Sequence, residues 1–163
     1  MAGKALRVMV VGIPNTGKST IINALCGGKK AITGNKAGVT KGKQWVRLRE
    51  LELLDTPGTM PPAFDNQVLA KHLAYIGSMN DANIDFNDLA YELIAELKEK
   101  YPDYLKTKYN IDDLDVSTLD IFNAICVRRG FLMRGNEYDY DRCSVAVIDD
   151  FRKGKLGKIC LDI

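Results

Sequence analysis

An eight-residue segment near the N-terminus has the residue types that hold a chain of phosphates. Residues 12–19 read GIPNTGKS, which matches G-x-x-x-x-G-K-[ST] in full. The two glycines let the backbone curl round an anion with its N–H groups inward, and a following helix adds its positive N-terminal end. Lys18 would place a charge on the β and γ phosphates, and Ser19 would offer a hydroxyl to Mg²⁺. The segment therefore predicts a phosphate-binding loop (P-loop) for a nucleoside triphosphate.

A second motif, DTPG at Asp55–Gly58, follows a short apolar run. An Asp-x-x-Gly turn is common and is weak evidence by itself, but its place after a P-loop and at the end of a predicted strand strengthens it. The Asp55 carboxylate could hold Mg²⁺ through water. The Gly58 N–H could meet the γ-phosphate, so the loop that follows would respond to hydrolysis.

The basic stretch 29–43, which lies between the two motifs, is predicted to be a loop. Thr40 in this loop could offer its hydroxyl to Mg²⁺ when a triphosphate is bound, with Thr33 as a weaker competitor. Guanine selectivity normally needs Asn-Lys-x-Asp, and Asn35 and Lys36 start that pattern but no acid completes it. No other candidate follows the P-loop, so the base is not identified by these residues.

The apolar patterns predict an α/β class fold in two parts. Residues 7–12 are predicted to form a buried parallel strand and residues 17–25 a helix. Two short strands, 44–48 and 51–55, would follow with a tight turn between them. This gives a partial P-loop domain over residues 1–64, with only about three strands and a parallel-type sheet. Because such a domain needs more strands to bury its central one, we expect part of it to be absent from this chain.

The spacing of apolar residues changes to a helical period from residue 66 onward. We expect a small all-α domain over residues 66–163, with a short tail. A first helix would contain Val68, Leu69, Leu73 and Ile76, and a second would end before Pro102. A third would begin near Ser117 and end at Gly130, and a last one would cover 139–151. His72 lies in the first of these helices, where we expect it to pack rather than to take part in catalysis.

Composition narrows the possible partners. The net charge is +2, but residues 1–50 contribute +9, residues 51–125 contribute −9 and residues 126–163 contribute +2. Basic ends of this kind suit phosphate or RNA. The four cysteines form no C-x-x-C pair and the chain has one histidine, so we expect free thiols in a reduced cytoplasm rather than a zinc site. No apolar run is long enough for a membrane span.

Taken together, the motifs resemble the YlqF/RbgA family of circularly permuted GTPases, which assist assembly of the large ribosomal subunit. The resemblance covers essentially the whole chain. It rests on GIPN-x-GKST at 12–20, T-G-x-x-x-G-V-T at 33–40, QW at 44–45, LLDTPG at 53–58, YDR at 140–142 and DFRKGKLGK at 150–158. In that family the base-recognition motifs precede the P-loop, so the resemblance implies a natural protein with a longer N-terminal part.

The resemblance also implies roles for individual residues, with GTP or GDP and Mg²⁺ as cofactors. Contacts to the nucleotide are expected from Gly12, Asn15, Thr16, Gly17, Lys18, Ser19, Thr20 and Gly58. The Mg²⁺ site would involve Ser19, Thr40 and Asp55, and Asn15 could ligate K⁺. Lys18 and Thr40 would serve catalysis.

The expected activity is GTP hydrolysis in the cytoplasm. Thr59 stands after Gly58, where the family usually has an aliphatic residue, and neither is a water-orienting glutamine. Hydrolysis should therefore be slow unless the large subunit supplies the missing group. The partners would be that subunit and its rRNA, with no DNA and no membrane. The cations expected to meet rRNA phosphates are Arg128, Arg129, Arg134, Arg142, Arg152, Lys153, Lys155 and Lys158.

Two alternatives remain open from the residues alone. An ATP-using P-loop ATPase or kinase would have the same phosphate-binding residues. An RNA-binding or ribosome-binding fragment with only residual nucleotide binding would keep the phosphate cradle without a base pocket.

Overall fold

A computed structural model describes residues 5–28, 31, 42–60 and 65–162. Within these ranges the chain has three strands and six α-helices. They belong to two compact units, Met1–Asp81 and Ala82–Ile163, named here the first unit and the helical unit. The division lies later than the predicted division near residue 65, because the first helix after DTPG groups with the sheet.

The sheet of the first unit comprises β1 (Leu6–Val10), β2 (Gln44–Leu48) and β3 (Leu51–Asp55). Its order is β1-β3-β2, with β1 parallel and β2 antiparallel to β3. Only the β1–β3 pair has the expected parallel direction, since the two-residue turn between β2 and β3 can join only antiparallel strands. In the parallel pair Val10 lies opposite Asp55. The loops that follow β1 and β3 therefore leave the sheet at the same edge.

The core of the first unit lies on one face of this sheet. Ile22 from α1 (Lys18–Leu25) is buried with Val46 and Leu53, which are opposite each other in register. On the other face Met9 and Trp45 are 61% and 51% exposed.

The prediction that the N-terminal strand is buried is wrong for the described residues. Leu6 and Val11 are also more than half exposed. An apolar run shows that a segment tends to be buried, but the packing partners that would cover both of its faces are set by tertiary structure. Strand β1 has one neighbour, β3, at the edge of the described sheet.

Helix α2 (Gln67–Tyr75) follows the DTPG loop. The Asn66 side chain caps its N-terminus by accepting bonds from the N–H groups of Val68 and Leu69. The helix ends ahead of Gly77, which has a left-handed φ of 72°. His72 lies on this helix, with its ring centroid 5.9 Å from that of Tyr75.

The helical unit comprises α3 (Phe86–Lys100), α4 (Pro102–Tyr109), α5 (Thr118–Arg129) and α6 (Tyr140–Arg152). Ser117 caps α5 by accepting a bond from the Asp120 N–H, and Gly130 ends it in a left-handed conformation, as predicted. Helix α4 is not among the helices that the sequence predicts, since a proline at position 102 indicates only the end of the preceding helix. Pro102 is instead the first residue of α4, where its missing N–H costs no helical hydrogen bond.

The core of the helical unit consists of apolar side chains that recur at helical spacing. Its fully buried members include Ala90, Leu93, Ile94, Leu105, Ile121, Cys126 and Cys143. No helix in the described ranges is both long and apolar enough to cross a membrane.

Candidate nucleotide-binding site

The loop between β1 and α1 has the conformation that the GKS motif requires. Gly17 has a φ of 83° and Asn15 a φ of 59°, both left-handed, so the backbone curls before the helix begins. Among the described residues, no side chain caps the N-terminus of α1. The N-terminal end of a helix that follows such a turn is a position suited to an anion.

Lys18 folds back over this loop. Its Nζ donates to the Ile13 carbonyl at 2.6 Å, and the Thr16 hydroxyl donates to the same carbonyl at 2.8 Å. A β-carbon added at Gly12 would meet the Lys18 Cδ at 3.6 Å. The Lys18 side chain thus runs beside Gly12, and its ammonium group is held at the Ile13 carbonyl of the same loop.

The Ser19 and Asp55 side chains meet at the start of α1 and the end of β3. The Ser19 hydroxyl donates to Asp55 Oδ2 at 2.7 Å, and Asp55 is fully buried. The second carboxylate oxygen, Oδ1, is buried without a hydrogen-bond partner in the described part of the chain. A buried carboxylate oxygen with unused acceptor capacity, beside a hydroxyl, fits the hard oxygen ligands that Mg²⁺ prefers.

The DTPG loop contacts the P-loop directly. The Thr56 hydroxyl donates to the Val10 carbonyl at 2.7 Å, and the Thr59 N–H donates to the Gly12 carbonyl at 3.3 Å. A β-carbon at Gly58 would come within 2.5 Å of Pro14 backbone atoms. Glycine at position 58 is therefore required for the two loops to touch.

The residues after α2 also reach the P-loop, which sequence reasoning missed. The Asn15 side-chain amide donates to the Ile76 carbonyl at 3.0 Å, and the Ser78 hydroxyl donates to the Pro14 carbonyl at 2.6 Å. Ser78 is 1% exposed. The sequence gives no signal for this contact beyond a Gly-Ser pair at the end of a helix, because the partners are 64 residues apart.

The structure thus brings together nine of the ten predicted site residues. They are Gly12, Asn15, Thr16, Gly17, Lys18, Ser19, Thr20, Asp55 and Gly58. The tenth, Thr40, lies outside the described residues, as does Thr33.

Several of the cations proposed for RNA already have partners in the helical unit. Arg129 and Lys155 pair with the buried Asp150 at 2.9 and 3.3 Å, and Lys108 approaches the same carboxylate at 3.6 Å. Lys153 pairs with Asp149 at 2.8 Å. The Arg142 guanidinium lies 4.9 Å from the centroid of the Phe131 ring.

A glycine-rich turn between a strand and a helix, with a buried acid at the end of the neighbouring parallel strand, defines the class of P-loop nucleotide-binding proteins. Residues 7–120 match the family model described as 50S ribosome-binding GTPase. Because that match covers more than half of the chain, the protein belongs to this family of GTPases. The α/β class and the GTPase assignment inferred from the motifs are thereby confirmed.

Relatives and solved structures agree with this assignment. The chain is 40% identical over 160 residues to the ribosome biogenesis GTPase A of Bacillus cereus and 41% identical to that of Priestia megaterium. Each match covers 98% of this chain but only 54% and 56% of the relative. The chain therefore spans about half the length of these curated relatives.

Two solved structures of YlqF match this chain, which confirms the resemblance to the YlqF/RbgA family. The GDP-bound structure superposes with a TM-score of 0.63 at 28% identity, covering 98% of this chain and 61% of the other. The GNP-bound structure from T. maritima gives a TM-score of 0.59 at 30% identity, covering 95% and 58%.

Proposed function

We propose that this chain is the phosphate-binding and switch portion of a GTPase that assists assembly of the large (50S) ribosomal subunit in the cytoplasm. The observation that supports it most directly is the contact between Ser19 and Asp55. This contact joins the P-loop to the DTPG loop at a buried carboxylate, whose second oxygen has no hydrogen-bond partner among the residues that the structure describes. Matches to relatives named ribosome biogenesis GTPase A support the choice of partner.

In this proposal the P-loop binds the phosphates of GTP or GDP. The backbone N–H groups at the start of α1 would donate to the phosphate oxygens. The Lys18 ammonium group would leave the Ile13 carbonyl and bind the β and γ phosphates instead. The nucleotide-binding set is the one given by the motifs: Gly12, Asn15, Thr16, Gly17, Lys18, Ser19, Thr20 and Gly58.

Ser19 and Asp55 would hold Mg²⁺, with Thr40 completing the site. When bound, the ion supplies positive charge that neutralises the phosphate oxygens. The Ser19 hydroxyl would turn from Asp55 Oδ2 toward the ion, and the Asp55 carboxylate would orient its water ligands. Asn15 is the proposed K⁺ ligand through its side-chain oxygen, since its nitrogen donates to Ile76.

Hydrolysis is proposed to be slow until the subunit binds. Thr59 follows Gly58, so no glutamine at that position orients the attacking water. The Gly58 loop contacts the P-loop at Pro14, and a γ-phosphate would alter that contact. GTP would thereby favour one arrangement of the loop and hydrolysis would release it. The basic residues of the helical unit would neutralise phosphates of the rRNA.

The experiment is co-sedimentation of the chain with purified 50S subunits, together with its GTP hydrolysis rate. We expect more pelleting with a non-hydrolysable GTP analogue than with GDP, and faster hydrolysis with subunits present. Lys18→Ala should bind subunits equally with either nucleotide. Equal pelleting of the unaltered chain with both nucleotides, and no stimulation, would contradict the proposal.

Competition between GTP and ATP on the subunit-bound protein addresses the identity of the nucleotide. If ATP gave the same nucleotide-dependent binding and was hydrolysed faster, an ATP-using enzyme would replace the proposed GTPase. If subunits bound well but neither nucleotide had any effect, the chain would be an RNA-binding fragment.

A further inference from the structure

Two hydrogen bonds join the first half of the P-loop to the end of α2. The Ser78 hydroxyl donates to the Pro14 carbonyl at 2.6 Å, and the Asn15 carboxamide donates to the Ile76 carbonyl at 3.0 Å. Both pairs are more than 60 residues apart in sequence and lie within the first unit. The end of α2 and the phosphate-binding loop are therefore connected by side chains on both sides.

The position of the Ser78 hydroxyl is set by the end of the helix. The Ser78 N–H donates to the Leu73 carbonyl at 2.9 Å, and the Gly77 N–H donates to the Ala74 carbonyl at 3.0 Å. Since Ser78 is 1% exposed, water does not readily replace a bond that its hydroxyl loses. The hydroxyl is thus a buried donor held in place by backbone bonds.

The contact with Pro14 has a consequence for the next N–H group. The peptide bonds of the described residues are trans, so the C=O of Pro14 and the N–H of Asn15 lie in one plane and point in opposite directions, on opposite sides of the C–N bond. Drawing that carbonyl toward Ser78 directs the Asn15 N–H to the other side. Gly58 packs against Pro14 as well, and a β-carbon there would overlap it. The Pro14–Asn15 peptide is therefore restrained by two different segments.

We propose that Ser78 is a positioning residue for the nucleotide site. Its hydroxyl orients the Pro14–Asn15 peptide so that the Asn15 N–H faces the phosphates, and it ties nucleotide binding to the end of α2. This inference rests on the proposed nucleotide-binding function. A nucleotide that needs this orientation stabilises the contact between Ser78 and Pro14. By linkage, loss of that contact lowers the affinity for the nucleotide by the same factor.

The test is Ser78→Ala in the full chain, with fluorescent GDP and a fluorescent GTP analogue as probes. We expect both affinities to fall about tenfold, because a buried carbonyl loses its donor and the peptide is freed to rotate. The matched control is Asn66→Ala, which removes the cap at the other end of α2. It should lower the melting temperature and leave both affinities within about twofold of the unaltered chain.

The outcomes separate this inference from the proposed function. If the unaltered chain binds and Ser78→Ala binds as tightly, or if Asn66→Ala loses as much affinity, Ser78 has no positioning role. If the unaltered chain binds neither probe, the proposed function and this inference both fail.

A second measurement does not depend on a folded variant. GDP added to the unaltered chain should slow amide hydrogen exchange at residues 76–78, which lie at the end of α2 and are joined to the P-loop. Exchange there that GDP leaves unchanged would overturn the coupling, whatever the variants do.

Discussion

At the scale of single residues, the site depends on two closely packed positions, Gly58 and Asp55, where a larger or differently charged side chain would disturb its neighbours. Gly58 lies against the Pro14 backbone, and the added methyl of alanine would overlap atoms that belong to the P-loop itself. Asp55 is buried with one oxygen bonded to Ser19. Both positions are predicted from the DTPG motif, but the reason for a glycine at position 58 is visible only in the contact with Pro14.

Gly58→Ala should separate the two loops. We expect nucleotide affinity to fall by about tenfold or more, because a β-carbon within 2.5 Å of Pro14 forces backbone, rather than a flexible side chain, to move. The measurement is a titration with fluorescent GDP. Gly28→Ala is the matched control, since a β-carbon there meets no atom of the described residues within 4 Å. An unchanged affinity for Gly58→Ala would show that the contact does not shape the site.

Tyr109 gives a prediction about alkaline pH. Burial raises the pKa of its phenol above the ordinary value of 10.0, with a further contribution from the Asp150 charge. The folded state thus keeps the phenol proton to a higher pH than the unfolded chain does. The contribution of Tyr109 to the free energy of unfolding is therefore complete below about pH 10 and declines as the pH rises beyond that.

In Tyr109→Phe, the free energy of unfolding should therefore decrease less between about pH 9 and 11 than it does in the unaltered protein. Because the hydroxyl is buried without a partner in the described part of the chain, we expect the variant at pH 7 to equal the unaltered protein or exceed it by about 1 kcal/mol. Urea unfolding at several pH values measures both effects. A steeper alkaline decline in the variant would contradict the assignment.

At the scale of elements, both units are held by acids that join several segments. Asp55 at the end of β3 bonds Ser19 in the first turn of α1, so one side chain connects the sheet to the helix that follows the P-loop. Asp150 in α6 forms ion pairs with basic side chains of α4, of α5 and of the segment after α6.

Asp55→Asn tests the proposed Mg²⁺ site. We expect the fold to persist, since asparagine keeps an acceptor for Ser19, while the tightening of GTP binding by Mg²⁺ is largely lost because the negative charge is gone. Affinity for a GTP analogue would be measured in Mg²⁺ and in EDTA. The unaltered chain should show a clear difference between the two buffers. A difference of the same size in the variant would remove Asp55 from the metal site.

Asp150→Asn should lower the free energy of unfolding by about 2 kcal/mol. Removing one partner of a buried ion pair usually costs more, but the three cations here are 21–49% exposed and can hydrate. The control is the neighbouring Asp149→Asn, whose 2.8 Å pair with Lys153 is on the surface and should contribute less than about 0.5 kcal/mol. Equal unfolding midpoints in urea for the two variants would show that Asp150 does not organise these helices.

At the scale of the whole molecule, charge is separated along the chain. The net charge of +2 conceals a basic first stretch, an acidic middle and a basic C-terminal segment. Several of the C-terminal cations are paired internally with Asp149 or Asp150. Their capacity to neutralise RNA phosphates is therefore smaller than the count of basic residues suggests.

The proposed binding to 50S subunits should weaken as the salt concentration rises, and the position of the substituted cation should change the size of the loss. Arg134→Glu, on an exposed turn after α5, should reduce binding several-fold and lower the salt slope by about one. Lys106→Glu makes the same charge change at an exposed position in the acidic middle stretch and should have less effect. Sedimentation at several salt concentrations measures this. Equal losses for both variants would mean that net charge alone governs the association.

The sequence by itself determined the parts of this protein that depend on neighbouring residues. The P-loop, the DTPG turn, the β2–β3 hairpin, the Ser117 cap and the Gly130 stop are fixed by interactions within a few positions, so residue type and spacing predict them. The family follows from the same local motifs.

Only the tertiary structure decided which distant residues meet. The bond from Ser78 to Pro14, the cations gathered at Asp150 and the exposure of Met9 depend on how elements pack, and no local pattern encodes the partner on the other side. Helix α4 shows a related limit, since Pro102 can stop one helix or begin another with the same backbone angle. Packing, rather than propensity, makes that choice.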